Sequence, residues 1–146
     1  MQKAFRILPG PAREPAITAT YPLLRTLLVG SDFRFCSQVG AYLGSHSRYD
    51  VVGVAHSGWH ALQLAGELDP MLVIADFLIG DMTGAAVARA LKAHAHPPIV
   101  LVLAGEPSQA WMDISLKAGA DDYLYQSDIE RLPEVLHRIE LGQRRH

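Results

Sequence analysis

The sequence predicts an α/β fold, a parallel sheet covered by helices on both faces. Two observations carry this. From Arg25 onward, five short apolar runs alternate with five segments of helical period. The runs are also continuously apolar rather than alternating, as strands buried on both faces are. Right-handed crossovers then make a doubly wound sheet the default.

Each element can be justified in order. Leu27-Leu28-Val29 reads as the first strand. A helix follows from about Asp32, with Phe35, Cys36, Val39, Tyr42 and Leu43 on one face. Val51 to Ala55 is the second strand, and Ser57 is placed to cap a helix carrying Ala61, Leu62, Leu64 and Ala65. Met71 to Ala75 is the third strand, and the alanine- and leucine-rich segment Ala85 to Ala93 is the third helix. Pro98 to Leu103 is the fourth strand, with proline at its first position, where it is tolerated. A helix from about Ser108 to Ala118 stops at Gly119. Tyr123-Leu124-Tyr125 is a short fifth strand. The last helix is predicted over Asp128 to Leu141, burying Ile129, Leu132, Val135, Leu136 and Ile139.

The resulting fold class is a doubly wound, flavodoxin-like five-stranded parallel sheet of order 2-1-3-4-5. Its switch point lies between the first and third strands, where such sheets bind ligands. Asp76 ends the third strand there, and the loop Gly30-Ser31-Asp32 ends the first.

At 146 residues the chain fits one domain, large enough for its own core. Residues 1–22, punctuated by Pro9, Pro11, Pro15 and Pro22, read as an extended or disordered leader. Residues 23–142 form the domain and 143–146 a tail. The net charge of -2 supplies no basic field for nucleic acid, and Arg138, Arg144 and Arg145 read as solvated. The single cysteine, Cys36, excludes an internal disulfide and fits a reducing cytoplasm. There is no signal-peptide layout and no apolar stretch near the roughly 20 residues of a membrane span.

From about Arg25 to Ile139 the chain resembles the receiver domain of bacterial two-component response regulators. Three stretches carry the resemblance: Val51 to Gly58 with Ala61-Leu62, Leu72 to Gly84, and Leu116 to Leu124. The third is especially similar to receivers that carry a helix-turn-helix output domain, and no such domain is expected within these residues. The resemblance implies that Asp76 is the phosphoacceptor, that a histidine kinase or phosphotransfer protein is the donor, and that Mg²⁺ is the cofactor. A receiver holds Mg²⁺ with the acceptor, two adjacent acids after the first strand, and the carbonyl of the second residue after the acceptor, here Leu78. It also has a threonine or serine ending the fourth strand, an aromatic on the fifth, and a lysine after the fifth.

The chain departs from this set. The hydroxyl position is Leu103 and the lysine position is Gln126, while Tyr123 matches the aromatic and Ala104 the small residue beside the hydroxyl. The acid pair falls on Gly30-Ser31 without a gap, or on Ser31-Asp32 with a one-residue shift, so at least one acid is missing either way. Each charge-assisted hydrogen bond to an ion contributes roughly 1.5–3 kcal/mol. Two or three losses amount to several orders of magnitude in phosphorylated-state stability.

The first expectation is therefore a signalling module with a degenerate acceptor site and a doubtful Mg²⁺ site. It would act through partners, with a homodimer possible through the fourth-helix, fifth-strand and fifth-helix face. The second is a working receiver phosphorylated on Asp76, with Asp32 its remaining Mg²⁺ acid. Neither is an enzyme with a separate substrate. A third class is a flavin-binding protein of the same topology, although no run of hydroxyl residues follows the first strand to cradle a phosphate.

Other candidates receive plainer readings. Asp81 is expected to be solvated. His56 and His60 lie four apart but lack a third ligand, and His94 and His96 flank a helix end. Trp59 and Trp111 are expected as contact surface, with packing against the leader as the competing explanation. No P-loop or dinucleotide glycine fingerprint occurs, and Ser31 and Cys36 have no positioned base.

Overall fold

A computed structural model describes residues 23–142. The leader 1–22 and the tail 143–146, including Arg144 and Arg145, lie outside the described residues. Strands and helices alternate strictly: β1 (Leu24–Val29), α1 (Phe33–Gly44), β2 (Tyr49–Ala55), α2 (Gly58–Leu68), β3 (Leu72–Asp76), α3 (Gly84–Lys92), β4 (Ile99–Ala104), α4 (Gln109–Ala118), β5 (Asp122–Tyr125) and α5 (Leu132–Glu140). All neighbouring strands are parallel, in the order β2-β1-β3-β4-β5 that the sequence predicts.

The continuous apolar strands have the expected cause. On one face Val29, Val73, Ala75 and Val102 meet Ala61 of α2, Val87 and Leu91 of α3, and Ala118 of α4. On the other, Leu28, Ile74, Leu101 and Leu103 meet Val39 and Leu43 of α1 and Val135 and Leu136 of α5. Each fully buried aliphatic side chain contributes about 1.5–3 kcal/mol. These two layers set the positions of the loops between them.

Four helices begin on a side-chain cap. Asp32, Ser57, Thr83 and Ser108 accept from the backbone N–H of Arg34, His60, Ala86 and Trp111 respectively. Such a cap stabilises a helix by ~1 kcal/mol. Gly119 ends α4 with φ 110°, a conformation glycine adopts without a Cβ penalty.

Some boundaries differ from expectation. Met71 stays outside β3, which instead includes Asp76, and Pro98 lies before β4, where its missing N–H costs no ladder bond. The last helix begins later than predicted. Residues Gln126–Arg131 form a 3₁₀ segment, and Asp128 has non-helical angles (φ -103°, ψ 22°). Pro133 then sits in the first turn of α5, where a missing N–H is harmless. No helix among the described residues is long and apolar enough to cross a membrane.

Candidate functional site

β3 delivers Asp76 to the C-terminal edge of the sheet, between β1 and β4. Ala75 is level with Val29, and Asp76 is level with Leu103. Paired residues of parallel strands face the same side, so Leu103 stands directly beside the acid. The loops after β1 and β3 meet as expected, for a Cβ on Gly80 would stand 3.9 Å from the Ser31 hydroxyl.

Burial dominates the setting of the Asp76 carboxyl and pushes its pKa up to about 6. The nearby backbone N–H dipoles of Leu78 and Phe77 oppose that rise, and the negative charge of Asp32 adds to it. Asp32 is thus near enough to be felt, while its own Oδ1 accepts from Arg34 N at 3.0 Å as the cap of α1.

The acceptor loop is tied down on every side. Phe77 N–H donates to the Leu103 carbonyl at 2.9 Å, and Gly84 N–H donates to the Phe77 carbonyl at 2.8 Å. Leu78 and Thr83 form an antiparallel bridge across the loop. Only glycine fits at position 84, since a Cβ there would lie 2.4 Å from the Asp76 carbonyl oxygen. The Leu78 side chain is exposed.

Asp81 corrects one expectation. It is exposed, but it is not merely solvated: its two oxygens accept from the backbone N–H groups of Gly58 at 2.8 Å and Trp59 at 3.1 Å. Those hydrogen bonds hold its pKa below the usual carboxylate range. Asp81 therefore joins Ser57 in capping α2 and fastens the acceptor loop to that helix. No local pattern around residue 81 signals this, because the donors lie more than 20 positions upstream.

The remaining site positions are placed as follows. Leu103 is fully buried among Ile74, Leu101 and the α1 and α5 side chains. Tyr123 is turned inward with 2% of its surface exposed, and its buried hydroxyl has no hydrogen-bond partner among the described residues. Gln126 does not point to Asp76 as its donor; its Nε2 donates to Oε1 of Gln38 on α1 at 2.7 Å. Gln38 was not anticipated from the sequence, since nothing in the pattern of α1 marks it.

Trp111, expected as contact surface, is partly buried, and its ring stacks on Phe77 with centroids 4.5 Å apart and planes 10° from parallel. Trp59 is 70% exposed, as expected. His56 Nδ1 lies 3.3 Å from the Gly30 carbonyl, and no three metal-ligating side chains converge among the described residues. Cys36 is only partly buried. Its thiol donates to the Gly30 carbonyl at 3.2 Å, and burial, with the charges of Asp32 and Asp76, pushes its pKa up.

Comparison with known proteins agrees with this geometry. The family model of the response regulator receiver domain matches residues 27–137. The response regulator protein VraR of Staphylococcus aureus is 32% identical over 89 residues, which are 61% of this chain and 43% of VraR. The chain thus spans less than half the length of the curated relatives it matches. Among solved structures, the receiver domain of NarL from Mycobacterium tuberculosis superposes with a TM-score of 0.72 at 26% identity, covering 85% of this chain and 99% of that one. A LuxR-family response regulator from Aurantimonas superposes with a TM-score of 0.75 at 22% identity, over 84% and 88% of the two chains.

Proposed function

Because this chain belongs to the response regulator receiver family of two-component signalling, we propose that it is a receiver whose acceptor site is degenerate and that signals through protein contacts with weak or no phosphorylation. The observation that carries this reading is the neighbour of Asp76. Leu103 stands level with it in the adjacent strand and offers no hydroxyl to a phosphoryl oxygen. Gln126, at the lysine position, is engaged by Gln38 and brings no positive charge. Transferring a phosphoryl group needs charge-stabilising donors already aimed at the oxygens it brings. Here the Phe77 N–H beside the acid is already spent on the Leu103 carbonyl.

The donor set also fits a resident Mg²⁺ poorly. A small hard ion wants carboxylate oxygens at near-octahedral positions. Asp76 is half-buried, and an Asp32 oxygen is committed to the cap of α1. With Leu78 as the remaining candidate, through its carbonyl, the site is one of weak metal affinity.

Tyr123 supports a fixed conformation. In the receiver resemblance the fifth-strand aromatic follows the hydroxyl inward on phosphorylation. Here it is already inward, packed on the sheet face that carries Val102 and Ala104. The module then biases partners by which conformation they bind rather than by phosphate. A histidine kinase or another signalling protein is the partner class, and the α4–β5–α5 face is the contact surface, for a partner or a second copy.

One observation favours the working-receiver reading. Asp76 is retained at the strand end, with Asp32 close enough to raise its pKa. Amide NMR titration with beryllofluoride, with and without Mg²⁺, separates the two. The degenerate reading expects no saturable shifts around Asp76 at millimolar ligand. Saturable, Mg²⁺-dependent shifts that spread to Tyr123 would overturn it, as would Mg²⁺-dependent phosphorylation lost in Asp76→Ala.

A further inference from the structure

We infer that the stacked pair Phe77–Trp111 links the acceptor loop to the partner-facing surface of α4, taking the part that a hydroxyl at position 103 cannot play. The inference rests on the reading of the site above only in that Leu103 leaves the hydroxyl route without its first member.

The link is built from four contacts. Phe77 follows Asp76 directly in the chain. Its backbone is also tied to β4 through Leu103 and to α3 through Gly84. Its ring, 3% exposed, lies flat on the Trp111 indole with centroids 4.5 Å apart. Trp111 stands in the first turn of α4, where its N–H donates to the Ser108 hydroxyl at 3.1 Å. A displacement of the loop around Asp76 therefore reaches the N-terminus of α4 through two rigid rings in contact. One turn beyond, Ile114 is half-exposed on the same helix.

The neighbouring aromatic pair does not supply the same connection. Tyr123 meets Tyr125 edge-on, with centroids 6.1 Å apart, and both lie on β5. Coupling between sites is reciprocal in free energy. A partner that moves Trp111 must then change the surroundings of Asp76 by the same coupling.

The test uses the full chain carrying Trp59→Phe, which leaves Trp111 as the single indole. The acceptor is perturbed with Asp76→Asn at one fixed pH, without beryllofluoride or Mg²⁺. A result against the degenerate-site reading thus leaves this test standing, and the reverse. The expected outcome is a shift in Trp111 emission and in the amide resonances of residues 109–113. Adding Phe77→Leu should cut the transmitted amide shifts at least twofold. Shifts of undiminished size in Phe77→Leu, or no shift at 109–113 on Asp76→Asn, would overturn the inference. Should Phe77→Leu lose its cooperative thermal transition, Trp111→Phe and Trp111→Leu replace it. The former keeps a stacked ring and should retain the amide shifts, the latter should lose them, and equal shifts in both would again overturn the inference.

Discussion

Replacing Asp76 with asparagine should stabilise the fold progressively as pH rises. The carboxyl has a folded pKa of about 6 against an ordinary value of 3.8, and burial is the main cause. The native state therefore binds the Asp76 proton more tightly than the unfolded chain does. Stability falls as pH rises past 3.8, and the loss is complete above about 6. The gap between the two values corresponds to about 3 kcal/mol at full strength. Asp76 is only half-buried, and solvent screening reduces this to roughly 1–2 kcal/mol. Asparagine has no charge to bury and keeps nearly the same shape. Urea denaturation of both proteins at pH 4 and pH 8, in chelator and with m-values checked for equality, measures the effect. The stability difference, Asp76→Asn minus the natural chain, should grow by roughly 1–2 kcal/mol between the two pH values. Groups titrating elsewhere cancel in that difference. A difference that stays constant, or shrinks, would refute burial as the dominant influence on this acid.

Three further outcomes follow from named contacts. Gly84→Ala places a Cβ 2.4 Å from the rigid Asp76 carbonyl and should cost on the order of 1–3 kcal/mol in thermal or urea unfolding. Gly58→Ala meets the Met82 side chain from Cγ outward, which can turn away as backbone cannot, and should cost less, so the reverse order would contradict the packing described. Lys92→Met leaves the buried Asp121 carboxylate without the ammonium now 2.7 Å away, and the urea midpoint should report a loss of about 3 kcal/mol. The double variant Leu103→Thr with Gln126→Lys restores a hydroxyl and a cation beside Asp76. It should gain a beryllofluoride response in NMR, at a stability cost of about 1–3 kcal/mol for the buried hydroxyl, and a silent double variant would mean that the Mg²⁺ acids are the limiting loss.

Much of the site was legible in the chain because its parts lie at strand ends. Asp76 ends an apolar run that periodicity marks as a strand, whereas Leu103, Tyr123 and Gln126 were singled out only through the resemblance to receivers. Ser57 was legible as a cap for a different reason, since a cap acts on its own next turn. The contacts that escaped the sequence join residues far apart. Asp81 caps a helix that begins 23 positions earlier, Gln126 bonds Gln38 at a separation of 88, and Phe77 lies against Trp111 on another element. The start of α5 was misplaced because the apolar pattern of Leu132, Val135 and Leu136 extends back to Ile129, while Asp128 breaks the helix and Pro133 lies in the first turn of the one that follows.

The sequence by itself determined the doubly wound sheet, the strand order and the placement of an acid at its switch point. Those follow from burial of apolar runs, a sum over many residues that tolerates local error. Tertiary structure alone decided how that acid is held: its half-buried setting, the inward tyrosine, and the flat contact of Phe77 with Trp111. Each depends on a few atoms meeting across elements to within about an ångström. No periodicity encodes such a meeting, because it is fixed only when the two packed layers close on the sheet.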